Sequence, residues 1–175
     1  MIMTNNKTIF GWKTVFQYYS LKDFFYDSII PIVVAIIICF VIIISKSCVF
    51  DQLKHLVDVG ISIIPSMIAL LLAAYAIILT LLSSNEMSIL KSTTDGKKLA
   101  KSINANFASC ILISIITIIV LFIISSIANM NIRVEYSSWI NYPTLFIVCF
   151  LIVFSVFFLI NIVIDIFNST QIIFK

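Results

Sequence analysis

Groups that do chemistry are sparse in this chain. It has one histidine, His55, and four cysteines, Cys39, Cys48, Cys110 and Cys149. Three of the cysteines sit inside apolar runs and none forms a CxxC pair. Neither a zinc site nor a disulfide framework is therefore expected, and the thiols read as small apolar packing residues. His55 stands in a polar stretch, 45–59, and reads as solvated rather than as a ligand or a pH sensor. Intramembrane proteolysis would need a Ser/His pair, an Asp pair or a metal motif, and nucleotide binding would need a Gly-rich turn. The sequence contains none of these. No catalytic, cofactor-binding or metal-binding residue is assigned, and the chain is not expected to be an enzyme.

The most ordered pattern is one of contact. Ser62, Ser66, Ala69, Ala73, Ala76, Thr80 and Ser83 follow one another at spacings of four, three, four, three, four and three. In lipid, helices associate by close backbone approach, so a line of small residues marks a packing or oligomer seam. The mean period of 3.5 suits a left-handed crossing. The spacing leaves open whether the neighbour is in the same chain or in another subunit. Pro65 beside the seam removes a backbone hydrogen bond and is either a static bend or a hinge. A weaker polar stripe, Cys110, Ser114, Thr117 and Ser125, is a candidate to face this seam. Phe146, Phe150, Phe154, Phe157 and Phe158 make a bulkier line, with Asn161 and Asp165 placed to hydrogen-bond within an interface.

These residues must be held by membrane-crossing elements. Hydrophobic residues make up 62% of the 175, charged residues only 11%, and mean hydropathy is +1.18. A water-soluble domain carries about 25% charged residues, so too few are present to cover a wetted surface. A helix needs about 20 apolar residues to cross the hydrocarbon core. Four runs meet or approach this, at about 28–45, 60–82, 107–127 and 142–164, and none contains Lys, Arg, Asp, Glu or His. Their unbroken length and lack of alternation exclude barrel strands. The expected fold is an all-α integral membrane protein with four transmembrane helices. Residues 1–27 form an N-terminal segment and 28–175 the transmembrane domain. Pro31 falls in the first turn of the first run, where proline is tolerated.

Charge sets the expected orientation. Lys7, Lys13, Lys22, Lys91, Lys97, Lys98, Lys101 and Lys175 fall on one side, against Lys46, Lys54 and Arg133 on the other. The excess of Lys and Arg places both termini in the cytoplasm. The net charge of +3 is too small and dispersed for direct nucleic-acid binding. No cleavable signal peptide is expected, because Trp12, Tyr18, Tyr19, Asp23 and Asp27 precede the first long apolar run. Ile9, Trp12, Phe16 and Tyr19 recur at helical spacing and suggest an interfacial amphipathic helix on the inner leaflet. Tyr136, Trp139 and Tyr142 fit an aromatic belt at the outer interface. The connection 83–106 reads as a cytoplasmic helical hairpin turning at Thr93, Thr94, Asp95 and Gly96. Its exposed residues Glu86, Lys91, Lys97, Lys98 and Lys101 are candidate contacts for a soluble partner. A simple connecting hairpin is an equal reading.

Three functions fit this frame: a scaffold or sensor with a cytoplasmic partner, an oligomeric pore or membrane-disrupting effector, and a toxin-immunity protein. Charge-free runs favour assembly over transport, while a hydrophobic pore needs no charged residue. Short outer loops offer a toxin little surface. The segment ISIIPSMIALLLAAYAIILTLLSSNE, followed by a basic stretch, resembles the Pro-containing span of small membrane proteins in bacterial antiphage systems. In size, number of spans and termini the chain is similar to the membrane subunit of the Kiwa defence system, across its architecture but in local pattern only over this span. That resemblance implies a homo-oligomer, a tetramer, in the bacterial inner membrane, which holds a soluble DNA-binding partner and has no cofactor.

Overall fold

A computed structural model describes residues 21–45, 48–83, 94–129 and 137–173. Four helices fill these segments: α1 Leu21–Ile44, α2 Val49–Ser83, α3 Thr94–Ala128 and α4 Ser137–Ile173. No strand occurs among the described residues. Each helix is long and apolar enough to cross a membrane, over Phe24–Ile44, Val49–Thr80, Ala100–Ala128 and Trp139–Ile164. The Ile- and Val-rich runs are helical because lipid offers no partner to a backbone N–H or carbonyl, and a helix pairs its own. Hydroxyls follow the same rule. Ser28 donates to the Phe24 carbonyl (2.7 Å), Ser126 to Phe122 (2.8 Å) and Thr144 to Ile140 (2.7 Å), each one turn back along its own helix.

The helices alternate in direction. α4 lies at the centre and packs on all three others, while α1 rests on α4 and barely touches α2. At the terminal end, where α1 begins and α4 ends, Asn161 Nδ2 donates to Asp27 Oδ1 at 3.3 Å. Tyr75 of α2 donates its hydroxyl to Asn104 Oδ1 of α3, and its ring lies 5.5 Å from that of Phe107. One core cluster, around Leu71, Phe107, Cys110, Phe154 and Phe158, occupies this half. The other, around Ala35, Leu53, Val57, Ile64, Leu121 and Leu145, occupies the far half. Down α4, Phe146, Phe150, Phe154 and Phe158 stack in a column with centroids 6.5, 5.4 and 5.7 Å apart. Phe24 of α1 meets Phe154 edge-on at 5.2 Å.

Helices approach closely at Gly60. A Cβ there would fall 2.6 Å from Leu121 Cδ1 and 2.9 Å from Ile152 Cδ1. Glycine is the residue that lets α3 and α4 close on α2 at this level.

Several boundaries differ from the sequence reading. α1 continues through the expected division at 27/28, so Asp27 lies within the apolar helix rather than before it. Pro31 is therefore in the helix interior, buried against α4, and gives no N–H to the carbonyl of Asp27. The expected outer loop 45–59 is helical from Val49, and His55 lies on α2. Thr94, Asp95 and Gly96, expected in a turn, open α3. That turn failed as a reading because a threonine and an aspartate can equally begin a helix. The expected interfacial helix with Trp12 and Phe16, the hairpin residues Glu86 and Lys91, and Tyr136 lie outside the described residues.

Candidate functional site

The small-residue seam of α2 faces away from its own bundle. Gly60, Ile64 and Leu71 belong to the buried inward line of α2, whereas Ser62, Ser66 and Ala73, two positions further on, are exposed. Two residues turn a helix by about 200°, so seam and core stand on opposite faces. Ala69, Ala76 and Thr80 are exposed as well, and the side chain of Ser83 lies outside the described set. Exposed Ile63, Leu70 and Ile77 flank the seam on one side, with Leu72 and Leu79 on the other. The result is a groove with a floor of small side chains and walls of large ones. Pro65 is exposed at its edge, and α2 runs unbroken through it.

The polar stripe of α3 does not meet this groove. Cys110, Ser114 and Thr117 are buried inside the bundle, and Ser125 is half-buried. The cross-helix partner of Thr117 is Ser155 of α4, with the two hydroxyls 3.1 Å apart. Thr117 also back-bonds to the Ile113 carbonyl and Ser155 to that of Leu151, both at 2.9 Å. Two hydroxyl protons serve three contacts, so one back-bond is given up whenever the cross-helix bond forms. The buried Ser109 and Ser114 hydroxyls have no hydrogen-bond partner among the described residues, apart from the Cys110 thiol one turn before Ser114. Nothing in the spacing of the stripe distinguished an inward face on α4 from one on α2.

The far end of α2 carries the charges. Asp51, Lys54, His55 and Asp58 are all exposed, opposite the buried Leu53 and Val57. Their depth follows from Gly60, which is level with Leu121 and Ile152. Ile152 lies well within the span Trp139–Ile164, and Leu121 within Ala100–Ala128. At about 1.5 Å per residue, Asp58 stands about 6 Å inside the 107–127 run of α3. By the same measure it stands about 12 Å inside the 142–164 run of α4. The four sequence runs are free of charge as read, but α2 is offset along the bundle, and that offset brings Asp58 to the level of its neighbours' apolar runs.

No family model, curated protein or solved structure matches this chain.

The remaining expected site residues are scattered. Trp139 and Tyr142 are exposed near the start of α4. Lys101 is exposed on α3, and the side chains of Lys97 and Lys98 lie outside the described set. Asn161 meets Asp27, while the side chain of Asp165 is not described. No group of three His, Cys, Asp or Glu that could hold a metal occurs among the described residues. The four cysteines are free thiols. Gly60, Asp27 and the Tyr75–Asn104 contact were not singled out from sequence. A lone glycine between Val59 and Ile61 was the available signal for the first.

Proposed function

We propose that this chain is a membrane-embedded scaffold or sensor subunit of a bacterial antiphage defence complex, which self-assembles and recruits a cytoplasmic DNA-binding effector. The observation that carries the reading is the outward seam of α2. A face suited to close helix contact is left uncovered by the other described helices of its own chain, and its Ile and Leu walls would hold a neighbouring helix in register. The polar start of α3, Thr94 to the apolar run at 107, supports the recruiting role. At about 1.5 Å per residue it carries the helix about 20 Å past that run. The placement in the inner membrane with cytoplasmic termini rests on the Lys and Arg bias. The tetrameric state and the chemistry of the effector rest on the architectural resemblance to the Kiwa subunit.

Purification from native membranes in mild detergent tests this. The expected product is a homo-oligomer that retains a soluble partner and loses it when residues 84–93 are replaced by a short Gly/Ser linker. A monomer, or an unchanged set of bound proteins after the replacement, would sink the scaffold reading. The second reading is an oligomeric pore, favoured by a seam that could surround a central axis. It predicts loss of membrane potential on expression of this chain alone.

A further inference from the structure

The interface between α1 and α4 holds two thiols that meet. Cys39 of α1 and Cys149 of α4 lie within hydrogen-bonding reach of one another. Both belong to one core cluster, in which Cys149 is buried and Cys39, half-buried, packs against it. The register of the two helices accounts for the meeting. Asn161 contacts Asp27 at the terminal end. Cys39 is twelve residues along α1 from Asp27, and Cys149 twelve residues back along α4 from Asn161. At about 1.5 Å per residue each lies about 18 Å from that contact, and antiparallel helices bring them to one level. Ala35, one turn before Cys39 and fully buried, puts no bulk between the helices there.

Two facing thiols are the reduced form of a disulfide. The bond holds its sulfurs about 2.05 Å apart, so the pair must close up from non-bonded contact. α1 can follow, because it rests on α4 and barely touches α2. The other thiols are not placed this way. Cys110 meets Ser114 of its own helix, and Cys48 is exposed between α1 and α2. Depth selects the oxidant. Cys39 lies five residues inside the end of the apolar span Phe24–Ile44, and Cys149 ten residues inside the start of Trp139–Ile164. Hydrocarbon excludes charged and strongly polar reagents, so the oxidant must dissolve in lipid. Half-buried Cys39 is the thiol it meets first, and buried Cys149 resolves the product.

We infer that Cys39 and Cys149 form a dithiol site that a lipid-soluble two-electron oxidant, an apolar disulfide, converts to a bridge clasping the first helix to the last. The Cys39 sulfur attacks one sulfur of the reagent, whose S–S bond breaks, and the expelled thiol carries off the Cys39 proton. The Cys149 sulfur then attacks the mixed disulfide at the Cys39 sulfur, and a second thiol leaves with the Cys149 proton. The two cysteines lose two electrons and two protons, and one reagent disulfide becomes two thiols. Native membranes treated with dithiodipyridine test this, with exposed Cys48 of the same chain as the reference thiol. Peptide mass mapping without reduction is expected to find Cys39 linked to Cys149 in chains of monomer mobility, and dithiothreitol should abolish the link. Cys149→Ser should stop the reaction at a thiopyridyl adduct on Cys39, and Cys39→Ser should leave Cys149 largely unmodified. Modified Cys48 with Cys39 and Cys149 both recovered as free thiols would overturn the inference. So would separate adducts on the two thiols of the unsubstituted chain, or a bridge from either of them to Cys48 or to another copy.

Discussion

Replacement of Gly60 is the sharpest probe of the bundle itself. An added Cβ lies 2.6 Å from Leu121 Cδ1 and 2.9 Å from Ile152 Cδ1, whereas carbon atoms pack at about 3.5–4.0 Å. Leu121 Cδ1 must retreat by about 1 Å to reach ordinary contact. Leu121 is 0% exposed, so it has no lipid to move into and must displace its neighbours. Such overpacking costs about 1–3 kcal/mol. Alanine regains up to about 1 kcal/mol over glycine in helix propensity. Gly60→Ala should therefore lie between neutral and about 2 kcal/mol destabilised. Gly60→Leu places three further carbons in the same space and should exceed about 3 kcal/mol, splaying α2 from α3 and α4. The assay is thermal unfolding in detergent, followed by far-UV circular dichroism and by loss of the monodisperse elution peak. Each kcal/mol corresponds to about 2–4 °C for a chain of this size, so Gly60→Leu should lose about 6 °C or more. Leu121→Ala vacates the contested volume, and its combination with Gly60→Leu should recover more than half of the loss. An unfolding temperature for Gly60→Leu within about 1 °C of the unsubstituted chain, or no recovery from Leu121→Ala, would refute the close approach.

Other substitutions probe the contacts around it. Phe154→Ala removes the member of the aromatic column that Phe24, Phe150 and Phe158 all touch, and should cost about 3–5 kcal/mol by thermal unfolding. Ile116→Ala, at a position 54% exposed, should stay within about 0.5 kcal/mol. Thr117→Val keeps the volume and removes the bond to Ser155, which retains its back-bond to Leu151; the loss should be about 0.6 kcal/mol, resolved by a double-mutant cycle with Ser155→Ala. Tyr75→Phe keeps the ring contact with Phe107 and removes the hydroxyl contact with Asn104. It should loosen the start of α3, seen as faster amide hydrogen exchange over 100–106 with an unchanged rate over 115–125.

The four membrane helices were legible because lipid reduces the choice of backbone conformation to one, whatever the side-chain propensity. The seam was legible because its spacing is a property of a single helix. What the spacing did not carry is relational. Whether Ala73 looks inward depends on where Leu71 looks, and that is decided by the partners of Leu71 on other helices. The offset of α2 is relational in the same way. A charge-free run beginning at Gly60 reads as a membrane edge, but Gly60 fits between Leu121 and Ile152, and this non-local fit shifts α2 along its own axis. Asp27 was misread for a local reason. Lys22, Asp23 and Asp27 broke the hydropathy pattern, while the helix they sit on continued.

The docking of α1 has a consequence for how the chain is made. α1 leaves the ribosome first, α4 last, and α1 makes its main contacts with α4 while barely touching α2, its immediate successor. The buried face of α1, with Ser28, Pro31 and Ala35, thus has no settled partner until the final helix has entered the bilayer. Until α4 is in place α1 must be stable in lipid with little helix contact, which its nearly unbroken Ile and Val content allows. The closing of α1 on α4, with Phe24 seating against Phe154 and Asn161 reaching Asp27, can only follow the insertion of α4. A nascent chain stalled before α4 would hold its first helix undocked, open to quality-control proteases that recognise unassembled membrane segments.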